Sequence, residues 1–315
     1  MNVLVTGGAG FIGNHTVRYL IEKGYDVTVV DDLSRGNAGL LPLEAHFYPI
    51  DILTPQFQEF MAARHFDAVI HLAAQIEVAS SERDPLRDAS LNIGGTLAVL
   101  EGARKSHVSR FVFASSAAVY GHPSEALLPL AEEAPLCPLS PYGLSKVTAE
   151  NYIRMLAPSF SMEWVILRFA NVYGEREGRK DPGGVIQIFA NQIARHRPIT
   201  LFGATDPTRD WIYVRDVAEA LAKSLVTIRG DAVYNISTGK EVSLKTVLAM
   251  LERAAGYSVP HEQGPKRYGD IHRSVLSCAK ARTLLAWIPK MTLEEGLFRT
   301  LRFAQDQARQ EEVQS

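Results

Sequence analysis

Tyr142 and Lys146 stand four residues apart in SPYGLSK, so on a helix they share a face and point the same way. A free phenol, with a pKa of about 10, is a poor base near neutrality. An ammonium held close to it stabilises the phenolate and lowers that value, which would make Tyr142 a general base for a substrate hydroxyl and Lys146 the group that activates it. Ser116 closes a strand-like run from Arg110 and can hydrogen-bond the same substrate oxygen, holding it for proton transfer. A tyrosine and a lysine at this spacing are also common on solvated helix faces. The elements around them decide between the two readings.

The first of those elements is Met1 to Asp32. Asn2 to Thr6 is a short apolar run of strand type, and the chain turns through Gly7, Gly10 and Gly13 into a segment with Val17, Leu20 and Ile21 at helical spacing. A second strand-like run, Val27 to Val30, ends at Asp31, eighteen residues after Gly13. A βαβ unit with three glycines in its first turn and an acid at that distance is the dinucleotide-binding pattern. Gly7 allows the tight exit from the strand, Gly10 leaves room for a pyrophosphate, and Gly13 lets the helix pack closely on the sheet. The first-turn residues Phe11 and Ile12 belong to the helix end that faces the phosphates. The Asp31 carboxylate suits ribose hydroxyls and would repel a 2′-phosphate, so NAD is expected rather than NADP. Asp32 and Ser34 in the following loop are assigned to the cofactor, and Arg35 is read as an adenine or solvent neighbour.

The totals suit that reading. With 315 residues, 46% of them hydrophobic, and a net charge of -2, the chain has the composition of a soluble globular protein. A basic surplus that would suggest nucleic acid is lacking, and no apolar run approaches the roughly 18 to 20 residues that would span a bilayer. Cys137 and Cys278 are too few and too isolated for a disulfide framework or a zinc site, so reduced thiols and no metal are expected. A leader would have to be part of the nucleotide loop itself, so a cytoplasmic protein is expected. The fold class is α/β: a Rossmann-type doubly wound parallel sheet with a smaller C-terminal α/β substrate domain. Residues 1–170 form the NAD-binding domain, with 209–237 returning to it, and 171–208 and 238–315 form the substrate domain.

Further positions follow from the rule that ligands lie at the C-terminal ends of the strands. Asp51 and Ile52 end the run from His46 and are placed beside the adenine. Leu72, Ala73 and Ala74 in HLAAQ are small enough for backbone to pass the cofactor. Residues 85–105 read as one long helix, with Asp84 as its cap and Pro85 at its first position. Asn92 within it is a polar residue among Leu91, Ile93 and Leu97, and a buried Asn needs partners. The proline-rich loop from His122 to Ser140 could act as a lid, and Ser140-Pro141 reads as the cap of the helix that carries Tyr142.

Together, TGGAGFIG, HLAA, SSAAVYG and SPYGLSK resemble the extended short-chain dehydrogenase/reductases that act on nucleotide sugars, the NAD-dependent epimerase/dehydratase family, as far as about Trp287. The resemblance implies that Ser116, Tyr142 and Lys146 are catalytic. It also implies that Asn92 ties its helix to the active-site strand, that Lys146 and Phe169 lie against the cofactor, and that Asn171, Val185, Arg209, Arg267 and Asp270 hold the nucleotide sugar. The family's dehydratases carry an Asp-Glu pair just after the serine and its decarboxylases a Glu, where this chain has Ala117 and Ala118, so elimination lacks its acid and base. The segment looks most like UDP-glucose 4-epimerases. That implies oxidation of the sugar at C4 with NAD, rotation of the 4-keto sugar about its diphosphate link, and reduction on its other face.

Three positions depart from the family pattern: Ser277 in place of an Asp, Ala286 in place of a Gly, and Glu77, read as repelling a sugar carboxylate or facing solvent. Ser274 stands where the resembling epimerases carry a gate residue, and its small size leaves room for N-acetylated sugars. A homodimer is implied, built on helices 85–105 and 141–157, with Leu97, Leu100, Tyr152 and Met155 as its apolar contacts. Two other functions stay open: a nucleotide-sugar reductase that releases a changed product, and a non-catalytic NAD-binding sensor.

Overall fold

Val3 and Val5 point to one face of a sheet and Leu4 to the other, and all three are fully buried. A strand apolar on both sides needs layers above and below it, which is how a parallel sheet wound by helices is built. In the computed structural model, β1 (Asn2–Thr6), β2 (Asp26–Val30), β3 (His46–Tyr48), β4 (Ala68–His71), β5 (Arg110–Ser116) and β6 (Glu163–Phe169) join a later strand, Ala232–Ile236, in a seven-stranded sheet. Its order is β3-β2-β1-β4-β5-β6 followed by that strand, and every pairing is parallel. The structure describes all residues except 176–182, 203–205, 228–230, 265–270 and 315, and of 312–314 the backbone alone.

Helices cover both faces. On one, α1 (Phe11–Glu22) packs with Val17 and Leu20 against Val3, Val5, Val217 and Leu221. On the other, α2 (Pro55–Ala62) sets Phe57 and Phe60 against Leu4, Val69 and Phe111. Between β4 and β5 the chain forms α3 (Val78–Arg83), α4 (Pro85–Ala89) and α5 (Gly95–Lys105), with a π-helical turn at Ser90–Gly94 joining the last two. The helix expected over 85–105 is therefore continuous in helical backbone, widened by a π turn that carries Asn92. Asp84 caps it as expected, accepting from the Arg87 amide at 2.9 Å, with Pro85 at the first helical position. Leu100 is fully buried in the core cluster below the sheet, so that expected dimer contact belongs to the chain's own interior.

After β5 the chain reaches α6 (Pro141–Ser159), which carries Tyr142 and Lys146. The loop before it is not free to swing as a whole lid. Leu130 is buried, its amide donates to Val275 O at 2.9 Å, and its carbonyl accepts from Ser277 N at 2.7 Å.

A second body of structure follows. β7 (Asn171–Tyr173), α7 (Val185–Ala194), β8 (Ile199–Phe202) and β9 (Thr208–Tyr213) precede α8 (Val214–Val226) and β10 (Ala232–Ile236), the last strand of the large sheet. Beyond it come β11 (Glu241–Ser243), α9 (Leu244–Ala255), β12 (His261–Gly264), β13 (Arg273–Ser274), α10 (Ala279–Leu284) and α11 (Leu293–Gln314). β9 pairs with β7, β11 and β13, so residues 208–213 stay with the smaller sheet, and α8 and β10 bring the chain back to the large one. A third cluster, including Phe189, Trp211, Leu251 and Leu297, fills the space between α7, α9, α11 and this sheet. Among the described residues no helix is long and apolar enough to cross a membrane.

Candidate functional site

Tyr142 owes its place to the first turn of α6. Ser140 caps the helix, accepting from the Gly143 amide at 3.1 Å, and Pro141 fills the first position, where no amide is needed. A β-carbon on Gly143 would lie 2.7 Å from the Ala118 carbonyl oxygen, so the absence of one lets the helix start sit directly on the turn that follows Ser116. Tyr142 is buried there, with the Ser116 hydroxyl as its hydrogen-bonding neighbour. One turn further on, Lys146 is also buried; its Nζ donates to Ala114 O at 3.0 Å and lies 4.8 Å from the centre of the Phe113 ring. The three expected residues are thus brought together at the C-terminal end of β5.

Their electrostatics differ from the expectation. Burial raises the Tyr142 phenol above its ordinary value, with Ser116 pulling it down and Asp88 adding to the rise. Burial likewise lowers Lys146 to about 8, opposed by Asp88 and then Glu150. The sequence reading had the lysine lowering the phenol. In the folded chain desolvation is the larger effect, because an interior of low dielectric disfavours the charged form of both groups.

The glycine loop was expected to cradle a dinucleotide, and its packing fits one. A β-carbon on Gly7 would meet the Ala73 amide nitrogen at 2.6 Å, and one on Gly13 the Gly7 carbonyl oxygen at 2.2 Å. No side chain caps the N-terminus of α1, where Gly10 sits as the N-cap ahead of Phe11 and Ile12, so that helix end is open to a phosphate. The Asp31 carboxylate is buried beside the loop, accepting from the Ala9 amide at 3.0 Å and the Leu33 amide at 2.9 Å. Asp32 accepts from both the amide and the hydroxyl of Ser34. Asp51 accepts from Leu53 N in the turn into α2, and Ile52 is buried with Gly95 alongside. Leu72 and Ala73 form the wall against Gly7, Ala74 follows them, and buried Phe169 ends β6 beside Ser116. Glu77 neither stands alone nor faces only solvent: it pairs with Arg35 at 2.7 Å. Since β1 lies between β2 and β4, this bridge between the loops after those strands passes above the glycine loop.

Asn92 is tied differently from the expectation, to the loop after β4 and to the catalytic helix. Its Oδ1 accepts from Gln75 N at 2.9 Å, and its Nδ2 reaches Gln75 O and the Ser145 hydroxyl, each at 3.0 Å. Among the substrate residues, Asn171, Arg209 and Ser274 share the small sheet: Asn171 pairs with Trp211, and Ser274 with Arg209. Arg209 Nη1 donates to Thr208 O at 2.8 Å, and Val185 opens α7 behind an N-cap, Gly184, that has no side chain. Arg267 and Asp270 lie outside the described residues.

Sequence reasoning missed three groups behind the site. His71 touches Thr6 Oγ1 at 2.7 Å and Thr96 Oγ1 at 3.2 Å, and burial lowers it to about 3, so it is neutral throughout the working range. Glu150 is fully buried, held by Arg168 through two bonds of 2.9 and 2.7 Å, by Arg154 at 2.9 Å and by Ser115 at 2.6 Å. The signals were present: Glu150 falls one turn after Lys146, and Arg168 is a lone cation in the apolar strand EWVILRF, where a charge must be paired. Asp88 is the third.

A doubly wound sheet with an uncapped glycine turn and, at the neighbouring strand end, a partly buried Ser with a buried Tyr and Lys defines a dinucleotide-dependent enzyme of the short-chain dehydrogenase/reductase type. The pattern that defines the NAD dependent epimerase/dehydratase family matches residues 3–237, and the chain belongs to that family. A UDP-glucose 4-epimerase from Mycolicibacterium smegmatis is 35% identical over 309 residues, covering 96% of this chain and 98% of that protein. The crystal structure of UDP-glucose 4-epimerase with UDP-glucose from Thermotoga maritima superposes with a TM-score of 0.94 at 38% identity, covering 98% of this chain and all of that one. The Thermus thermophilus UDP-glucose 4-epimerase in complex with NAD gives 0.89 at 37% identity, over 96% and 99% of the two chains.

Proposed function

We propose that this chain is a nucleotide-sugar 4-epimerase that carries NAD and interconverts the C4 epimers of a UDP-hexose, UDP-glucose and UDP-galactose. One observation carries the reading: Ser116, Tyr142 and Lys146 converge beside a dinucleotide cradle, while Ala117 and Ala118 stand where elimination would require acids. When bound, NAD supplies the two-electron acceptor and donor at the sugar C4. The chain's own part is to move and hold a proton. Tyr142 takes it from the 4-hydroxyl and gives it back to the same oxygen after the 4-keto sugar has turned. Ser116 holds that oxygen, Lys146 keeps positive charge beside the phenolate, and Asn171, Val185, Arg209, Arg267 and Asp270 grip the rest of the nucleotide sugar while its ring rotates. The small side chain of Ser274, next to Arg209, leaves room for an N-acetyl group.

Because electrons and proton both return to the substrate, no net redox change occurs. Incubation with UDP-galactose followed by product separation tests this: UDP-glucose forms with no stoichiometric NADH. Steady NADH accumulation would assign the chain to the reductases, and no turnover at all would favour a sensor. The same reading includes a homodimer. Met155 and Tyr152 on α6 and Leu86 on α4 are exposed apolar side chains on two helices packed together, and they offer a second copy the contacts that Leu100 does not.

A further inference from the structure

Asp88 lies in α4, 1% exposed. Its Oδ1 accepts from Gln75 Nε2 at 2.8 Å and Asn92 Nδ2 at 3.1 Å, and its Oδ2 is buried with no hydrogen-bond partner among the described residues. Asn92 carries the connection to the Ser145 hydroxyl, which donates to Tyr142 O at 2.9 Å, so the carboxylate is two hydrogen-bonded residues from the backbone of the proposed base.

The other titratable groups facing Lys146 do not supply a free negative charge. On its own helix Glu150 is matched by the guanidinium groups of Arg168 from β6 and Arg154. On β4, His71 is neutral, and β5 presents Phe113 and the Ala114 carbonyl. Tyr142 itself completes the set. From α4, Asp88 has neutral amide donors and, among the described residues, no salt bridge to a cation.

We infer that Asp88 is a positioning residue for the reaction: a buried carboxylate with one unpartnered oxygen, joined through Asn92 and Ser145 to the catalytic helix, it balances the ammonium of Lys146 and so sets the pH range in which Tyr142 works. This rests on the epimerase reading. The direction of the titrations agrees, since Asp88 is the first charge opposing the fall of Lys146 to about 8 and also raises the phenol. Removing one negative charge therefore lowers both groups together, and both limbs of a bell-shaped profile move to lower pH.

Asp88→Asn isolates the charge. The amide oxygen can keep both donors, and the NH₂ takes the place of the oxygen that has no partner. The experiment is the pH dependence of kcat for conversion of UDP-galactose by NAD-loaded protein, for the native chain, Asp88→Asn and Asp88→Ser. The expected result is a shift of both limbs by about one pH unit to the acid side in both variants, which is about a tenfold loss of rate on the alkaline side. Limbs that stay in place, whatever the height of the profile, overturn the inference, as does failure of both variants to fold, which would make Asp88 structural. Failure of the epimerase reading looks different: the native chain then forms no UDP-glucose at any pH.

Discussion

Glu150→Gln removes one charge from the interior while keeping the side chain's size. In the native chain Glu150 is fully buried, the Arg168 side chain is 2% exposed, and the pair is closed by two charge-assisted bonds of 2.9 and 2.7 Å. Breaking such a pair from one side leaves a buried guanidinium uncompensated and costs about 3–5 kcal/mol, against the roughly 5–15 kcal/mol that holds a typical domain folded. Removing both charges is a different perturbation. In Glu150→Gln with Arg168→Met, neither ion is buried alone, and the double variant should recover most of the loss. Tyr120 and Glu132 O still lose their bonds from Arg168 Nη1, so about 1–2 kcal/mol should remain missing. Urea unfolding with NAD held at one saturating concentration measures this, because bound ligand shifts apparent stability by mass action. The reasoning is refuted if Glu150→Gln costs less than about 1 kcal/mol, or if the double variant is no more stable than the single one.

Ser274→Tyr should remove turnover of UDP-N-acetylgalactosamine and spare that of UDP-galactose, measured side by side by product separation; equal loss of both would show that residue 274 does not gate the acetamido group. Ala286 sits at φ +49° with the Trp287 amide donating back to Ala281 O at 3.1 Å, a left-handed backbone that costs an L-residue about 1–2 kcal/mol. Ala286→Gly should therefore raise stability by up to about 1 kcal/mol after the extra entropy of glycine in the unfolded chain, and a lower urea midpoint would contradict that. Glu77→Gln opens the half-exposed bridge to Arg35 over the glycine loop. Exposed pairs contribute about 0–1 kcal/mol, so bound NAD should exchange up to about fivefold faster at low salt, with the difference fading as salt rises. Exchange unchanged at low salt would show that the bridge does not retain the cofactor.

Periodicity made part of this molecule legible. Tyr142 and Lys146 share a face because four residues make about one helical turn, and Ser140 with Pro141 marks where that helix begins. The glycines and Asp31 could be read because one βαβ unit brings them together within thirty residues. What was not legible depends on contacts far apart in sequence. Ser115 meets Glu150 thirty-five residues on, and Asn92 meets Ser145 fifty-three residues on. Apolar spacing marks a helix face without saying what covers it, so Leu100 in the core and Met155, 72% exposed, read alike. The direction of the phenol's shift went the same way: the lysine's spacing is in the sequence, whereas the depth of burial that outweighs it arises only on folding.

Tyr142→Phe keeps the ring and its packing and deletes only the hydroxyl. Its turnover of UDP-galactose, measured on protein shown by absorbance to retain NAD, bears directly on the proton transfer assigned to residue 142. Loss of the general base predicts a fall in kcat of about 10²- to 10⁴-fold with the fold and cofactor content preserved. Turnover within a few-fold of the native rate would contradict the assignment.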